Sequence, residues 1–246
     1  MKPQILVSAV TAGSGKTLFT MGLLRALKNR GMKVQPYKCG ADFIDSSYLS
    51  IAADKESVNL DAWMSSPTHT QHIYNRYGEQ ADACITEGTS ALFDGYRRMQ
   101  GSSAEIANIL NLPVILLVNA RMAGYSVAPL LYGYKHFYSG VHIAGVIFNQ
   151  VSSPAHYAHL REACSDTGLD CLGYLPVTEE VKLFPKHNAI SLANRRIIDE
   201  QANIVASQIE KSIDISRMLN RCNRNFPCQY TLPYYSDTED DMHTFP

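Results

Sequence analysis

Residues 5–17 read ILVSAVTAGSGKT, and this stretch decides the fold. Its first half is a continuous apolar run, which is typical of a strand buried on both faces of a parallel sheet. Its second half is rich in glycine and ends in GKT, the pattern of a Walker A phosphate loop between a strand and a helix. We expect the N–H groups of Gly13, Ser14 and Gly15 to face nucleotide phosphates, where the start of the helix adds partial positive charge.

The last two residues of this loop predict the cofactors. Lys16 can reach the β- and γ-phosphates, and the Thr17 hydroxyl can bind Mg²⁺, so we expect ATP and Mg²⁺. The common pattern begins with a glycine where this chain has Val10. The apolar run before the loop and the helical pattern after it still favour a phosphate loop over a glycine-rich turn with a surface lysine.

Short apolar runs alternate with amphipathic stretches along the rest of the chain. The apolar runs predict strands at residues 5–10, 33–38, 83–86, 114–118, 143–148 and 170–172. The helical spacing predicts helices at residues 16–30, 68–77, 104–110, 126–137, 154–167 and 195–211. This alternation predicts an α/β fold of the P-loop NTPase type, in which a parallel sheet carries helices on both faces.

Composition excludes several other classes of protein. The chain has 246 residues, 46% of them hydrophobic, and a net charge of −1, so it is an ordinary globular chain without the basic excess of a nucleic-acid-binding protein. Its longest strongly apolar run, residues 114–118, is too short to cross a membrane. The six cysteines form no CxxC pair, which favours reduced thiols and a cytoplasmic location.

Carboxylates follow the second and third predicted strands. Asp42 and Asp45 come after the second strand, and Glu87 directly follows the third. The carboxyl ends of parallel strands meet at one edge of a sheet, together with the phosphate loop. We therefore predict that Asp42 and Glu87 bind Mg²⁺ beside Thr17.

Two further charged residues, Lys38 and Asp94, belong to the same edge. Together with Asp45 they can face the γ-phosphate or the acceptor, because phosphoryl transfer depends on positioning and charge neutralisation. The alternative is structural: Asp42 and Asp45 can cap a helix, and Asp94 with Gly95 can form a turn.

Six segments resemble those of the cobyrinic acid a,c-diamide synthase family. Three match its hallmark segments: KCGADFID at 38–45, NLDAWM at 59–64 and EGTSALFDG at 87–95. Three more lie in the family's order: SAEIA at 103–107, GVIFN at 145–149 and LGYLP at 172–176.

The resemblance covers about residues 4–220. It implies a P-loop fold like that of dethiobiotin synthetase and an ATP- and Mg²⁺-dependent amide ligase. Such ligases activate the a and c side-chain carboxylates of a corrinoid as acyl phosphates, which ammonia then attacks.

The resemblance also assigns roles to individual residues. It implies nucleotide binding by residues 13–17, with Asn149 at the adenine and metal binding by Thr17, Asp42 and Glu87. Catalytic roles fall on Lys16, Lys38, Asp45, Glu87 and Asp94. Trp63, in the second hallmark segment, can contact either substrate or its own loop.

The chain departs from the family at its phosphate loop, at Ala41 and at its C-terminus. We expect residues 1–221 to form the synthetase domain and residues 222–246 a tail or linker. The family carries a C-terminal glutamine amidotransferase domain that this sequence does not contain, so we expect a synthetase domain that takes ammonia from the free pool or from a separate glutaminase, or else a truncated form. The context of Cys222 and Cys228 argues against a glutaminase nucleophile. The family's habit suggests a homodimer, and we expect neither a nucleic acid nor a membrane as partner.

Four alternatives remain open at this stage. The substrate could be another tetrapyrrole, such as nickel-sirohydrochlorin, or the chain could be a ligase like dethiobiotin synthetase. It could also be a partner-binding switch ATPase of the MinD type, but that class has a signature lysine where this chain has Thr11. The fourth hypothesis is an inactive or regulatory domain, and the retained carboxylates argue against it.

Overall fold

The apolar runs form one sheet in the computed structural model, which describes residues 1–177 and 192–225. Its strands are β1 Lys2–Ala9, β2 Val34–Cys39, β3 Val58–Leu60, β4 Ala83–Glu87, β5 Val114–Asn119, β6 Ile143–Val151, β7 Cys171–Pro176 and β8 Asn223–Arg224. The first seven are parallel, in the order β3-β2-β4-β1-β5-β6-β7. The short β8 pairs antiparallel with the start of β1.

Helices cover both faces of this sheet. They are α1 Lys16–Asn29, α2 Phe43–Ala53, α3 Pro67–Gly78, α4 Ser103–Leu110, α5 Val127–His136, α6 Pro154–Thr167, α7 Leu192–Ser212 and α8 Ile215–Arg221. Side chains of β1 alternate between two cores: Ile5 and Val7 pack with α1, α2, α7 and α8, and Leu6 packs with α3 to α6. Within the described ranges, none of these helices has both the length and the apolarity of a membrane span.

The predicted α/β architecture is confirmed, with differences at short elements. The structure adds β3, whose three residues are too few to show a period, and α2, which the sequence indicated only as a helix start. At the C-terminal side, Cys222 is buried and β8 pairs with β1, so residues 222–224 belong to the fold rather than to the expected tail. Residues 226–246 of that tail lie outside the described residues.

Helices α1 and α7 pack closely because α1 has a glycine at their contact. A Cβ atom on Gly22 would lie 2.9 Å from Cβ of Val205 and 3.0 Å from Cδ1 of Ile209, both on α7. Next to this contact, the buried Arg25 donates to the carbonyls of Ile51 and Ala52 at the end of α2. The helix that carries the phosphate loop is therefore held on two sides.

We expect Gly22→Ala to lower the free energy of unfolding by about 1–2 kcal/mol. Overpacking costs about 1–3 kcal/mol, and the higher helix propensity of alanine returns up to about 1 kcal/mol. The matched control is Gly133→Ala on α5, where an added Cβ meets open space, so that variant should be neutral or slightly stabilised. Urea unfolding of both variants checks this, and a Gly22→Ala chain as stable as the unsubstituted one would contradict it.

Candidate functional site

The carboxyl ends of the parallel strands form a single edge, and the chain order reverses there around β1. Strand β1 lies between β4 and β5, which come later in the chain. A crevice forms at such a reversal, and ligands of open α/β sheets bind in it. The loops that follow β1, β2 and β4 all open into this region.

The phosphate loop has the backbone conformation that its glycines permit. Gly13 and Gly15 have φ angles of 74° and 90°, in the left-handed region that glycine adopts without a steric penalty. Gly15 caps α1 without a side chain, and the first turn of α1 has no acidic residue. The N–H groups at the start of α1 are therefore suited to an anion such as a phosphate.

Asn149, near the end of β6, holds this loop in place. Its Nδ2 atom donates to the carbonyl of Ser14 at 2.8 Å, and its Oδ1 atom accepts from the N–H of Gln150 at 2.9 Å. A Cβ atom on Gly15 would collide with the Asn149 amide. The close approach therefore requires glycine at position 15.

Four side chains meet beside the loop, and we call them the Lys38 cluster: Thr17, Lys38, Asp45 and Glu87. Lys38 and Glu87 lie opposite each other in the register of β2 and β4. The Nζ atom of Lys38 lies 2.9 Å from Oε1 of Glu87 and 3.3 Å from Oδ2 of Asp45. The Thr17 hydroxyl donates to the same Glu87 oxygen at 2.8 Å.

The Lys38 cluster is buried, and this changes its acid–base properties. Lys38 is 3% exposed, Glu87 0% and Asp45 5%. Burial raises the pKa of Glu87, against the opposing effect of the Lys38 ammonium. Burial lowers the pKa of Lys38, but the carboxylates of Glu87 and Asp45 outweigh this effect and hold it above the ordinary lysine value. With all three groups ionised the formal charge is −1, so a further cation nearby would be favourable.

Two features of the cluster fit a magnesium–nucleotide complex. The Oε2 atom of Glu87 is buried and has no hydrogen-bond partner among the described residues, and the Thr17 hydroxyl lies next to the carboxylate. In the part of the chain that the structure describes, no group of three or more His, Cys, Asp or Glu side chains could hold a metal. Mg²⁺ is usually bound by one or two carboxylates together with phosphates and water, and Glu87 and Thr17 are the residues here that could take part in such binding.

A cleft of about 550 Å³ opens next to the phosphate loop. Its walls carry two aromatic residues, two carboxylates and small residues of the loops after β3 and β4: Asp61, Trp63, Thr89, Ser90, Asp94, Gly95, Tyr96 and Gly101. The Ser90 carbonyl, on this wall, accepts a hydrogen bond from Nζ of Lys16. The cleft and the phosphate loop therefore share one boundary.

A family model matches residues 5–192, and its description is the CobQ/CobB/MinD/ParA nucleotide-binding domain. The chain belongs to this family. The match covers the phosphate loop, the Lys38 cluster and Asn149, and the family's description supports nucleotide binding by this chain.

Individual relatives confirm the resemblance to the diamide synthases. The chain is 36% identical to the cobyrinate a,c-diamide synthase of Dehalococcoides mccartyi strain 195 over 94% of this chain and 52% of that protein. It is 39% identical to the hydrogenobyrinate a,c-diamide synthase of Brucella ovis over 85% of this chain and 47% of that protein. The chain thus spans about half the length of the curated relatives it matches.

The fold itself also occurs in a distant protein of known structure. Chloroplast FtsY from Physcomitrella patens superposes with a TM-score of 0.50 at 13% identity, over 80% of this chain and 65% of that one. At this identity the likeness shows the fold alone.

The structure brings most of the predicted site residues to one edge of the sheet. Two predicted aspartates, Asp42 and Asp94, are not part of the Lys38 cluster. Asp42 caps α2, where its Oδ1 atom accepts from the N–H groups of Ile44 and Asp45 at 3.1 and 2.9 Å. Asp45, one turn further on, is the residue that reaches Lys38. A metal role for Asp42 stays a prediction, and its observed role in this fold is the helix cap that the sequence left as the alternative.

Asp94 lies outside the Lys38 cluster, on the wall of the cleft. Its Oδ2 atom accepts from the Ser90 hydroxyl at 3.4 Å, so it lies together with Ser90 on the cleft side of the site. Sequence reasoning missed Ser90 and Tyr96, because neither residue type marks a site and their placement depends on how the loop after β4 folds.

We expect Lys38→Met to lower the free energy of unfolding by about 3–5 kcal/mol, because it leaves the Glu87 and Asp45 carboxylates buried without a cation. The matched control is Lys28→Met: Lys28 pairs with Asp54 at 3.2 Å on the surface, and its loss should cost about 0–1 kcal/mol. Adding Glu87→Gln to Lys38→Met should recover part of the loss. Equal unfolding midpoints in urea for the two lysine variants would contradict this interpretation.

Proposed function

We propose that this chain is an ATP- and Mg²⁺-dependent amide ligase that amidates the a and c side-chain carboxylates of cobyrinic acid through acyl phosphates. One observation carries the proposal: the aromatic cleft adjoins the phosphate loop through Ser90, whose carbonyl accepts from Lys16. An acceptor bound in the cleft therefore has its reacting end at the phosphates. The cobyrinate and hydrogenobyrinate a,c-diamide synthases among the relatives suggest the substrate class.

The phosphate-binding residues would act mainly by position and charge. Residues 13–17 would hold the phosphates, and Thr17 and Glu87 would hold Mg²⁺, which supplies neutralisation of the phosphate charge when bound. Lys38 is already positioned by Glu87 and Asp45. Its ammonium can therefore stabilise negative charge that develops during transfer without a reorganisation of the site.

The reaction would proceed in two displacements. A carboxylate oxygen of the substrate attacks the γ-phosphorus of ATP, the bond from that phosphorus to ADP breaks, and an acyl phosphate forms. Ammonia then attacks the acyl carbon, phosphate leaves with the electrons of the C–O bond, and the attacking nitrogen loses one proton. We assign the acceptance of that proton to Asp94, and its position on the wall of the cleft supports this assignment.

Asn149 is proposed to read the adenine while it holds the phosphate loop. Its hydrogen bond to Ser14 would then link base recognition to the phosphate site. We further propose that ammonia comes from the free pool or from a separate glutaminase, and that the chain forms a homodimer. A switch ATPase is disfavoured, because its signature lysine would stand at Thr11, whose hydroxyl lies 3.0 Å from that of Ser14.

The test is phosphate release from ATP with cobyrinic acid as acceptor. We expect release and amidated product with Mg²⁺ and ammonium chloride, and neither when Mg²⁺ or cobyrinic acid is omitted. Replacement of ammonium by glutamine distinguishes a chain that needs an ammonia supplier from one that hydrolyses glutamine itself. Failure of cobyrinic acid to stimulate release in the presence of ammonium, with ATP binding intact, would overturn the proposal.

We expect Glu87→Gln to lower kcat by about 10²–10³-fold, the usual effect of losing one charge-stabilising group, while the chain stays folded because Lys38 keeps Asp45. The control is Glu56→Gln, an exposed carboxylate just before β3, at the opposite edge of the sheet. Circular dichroism reports folding, and the ammonium-dependent assay reports kcat. Turnover of Glu87→Gln equal to that of Glu56→Gln would refute the assigned role.

A further inference from the structure

Two large aromatic side chains on the walls of the cleft are mostly open to solvent. Trp63 is 73% exposed and Tyr96 is 67% exposed. Burial of such a ring is strongly favourable, so a pair left open on a concave surface marks a place where an apolar ligand gains affinity. Both residues lie outside the Lys38 cluster and the phosphate loop.

The loop that carries Trp63 is held by its own hydrogen bonds. Strand β3 ends at the buried Leu60, and the next residue, Asp61, accepts from the N–H groups of Trp63 and Met64 at 2.8 and 3.1 Å. This turn fixes the backbone of Trp63 directly beyond the carboxyl end of β3. The indole therefore starts from a defined position at the sheet edge that holds the phosphate loop.

Tyr96 is held from the other side, in a tight turn after β4. Its N–H donates to the carbonyl of Gln100 at 2.9 Å. A Cβ atom on Gly101 would lie 2.8 Å from Cδ1 of Tyr96, so the ring packs directly on the glycine backbone. The N–H of Gly101 in turn donates to Glu105 of α4 at 2.6 Å. The phenol ring thus rests on a loop anchored to a helix.

The charges in the cleft decide which part of a ligand meets the aromatic walls. Asp61 and Asp94 also line it, and they disfavour a second carboxylate at the same place. At Ser90, by contrast, the wall of the cleft contacts the ammonium of Lys16, which donates to the Ser90 carbonyl. A ligand that carries carboxylate arms on a flat apolar ring satisfies both ends, with the ring at the walls and one arm at Lys16.

We propose that Trp63 and Tyr96 bind the ring of the tetrapyrrole acceptor by stacking and thereby position one side-chain carboxylate at the phosphate loop. This inference rests on the proposed function and deepens it, since it names the residues that recognise the ring. A cleft of about 550 Å³ is within the range of small-molecule pockets and accommodates an edge of the macrocycle, so much of the ring stays outside. Several carboxylates can then be presented in turn by rotation of the ring.

The experiment uses Trp63 as its own probe, because it is the only tryptophan of the 246 residues. We expect metal-free hydrogenobyrinic acid to protect Trp63 from acrylamide quenching in the unsubstituted chain. Trp63→Ala and Tyr96→Ala should each raise the dissociation constant of cobyrinic acid, measured by equilibrium dialysis, about tenfold, as expected for loss of one stacked ring. The KM for ATP should stay unchanged, and Trp63→Phe and Tyr96→Phe should retain most of the affinity.

The matched control is Tyr77→Ala, a partly exposed tyrosine on α3. It lies toward the opposite edge of the sheet, where Lys2 donates to the carbonyl of Gly78, and its removal should leave the dissociation constant unchanged. If both alanine variants bind cobyrinic acid as tightly as Tyr77→Ala while turnover persists, the stacking inference is wrong and the proposed function stands. If the unsubstituted chain binds neither macrocycle, both are overturned.

Discussion

The buried ion pair between Lys38 and Glu87 is the constraint on which the rest of the site depends. It joins β2 to β4 at one register, because a slip of one residue would turn Lys38 to the other face of the sheet. Removal of these charges from water costs several kcal/mol per ion, and their attraction offsets that cost only in good geometry. The pair therefore contributes little net stability but strongly disfavours any other alignment of the two strands.

Neighbouring elements position the side chains and the phosphate loop around this ion pair. Asp42 caps α2 and so sets the first helical turn, from which Asp45 reaches Lys38. Thr17 binds the same Glu87 oxygen from the start of α1, which fixes the distance between the phosphate loop and the cluster. From the far side, Asn149 holds the carbonyl of Ser14. The loop is thus held between two buried polar contacts on neighbouring parts of the sheet, an arrangement suited to binding phosphate without reorganisation.

The sequence predicted the central part of this arrangement because its signals are local. An apolar run followed by a glycine-rich loop specifies strand, loop and helix within a single stretch, and the strand-end rule then places Glu87 near Thr17. The pairing of Lys38 with Glu87 has no local sequence signal, since it depends on the register of β2 and β4, which are separated in the chain by α2, β3 and α3. Asp42 shows a different difficulty: an aspartate before a helix has the same sequence signature as a cap and as a metal ligand.

The acceptor side was less predictable for a related reason. Tyr96 reaches the cleft through a turn whose shape depends on a positive φ at Gly101 and on the carboxylate of Glu105, and no periodic pattern encodes such a turn. The contrast between the two sides also has a functional logic. The Lys38 cluster on the phosphate side is buried and joined by ion pairs and a hydrogen bond, which suits charge stabilisation by fixed groups with little water. The cleft side has exposed rings on loops held by hydrogen bonds, and under the proposed function this would let a large acceptor enter, turn and leave while its reacting carboxylate reaches Lys16.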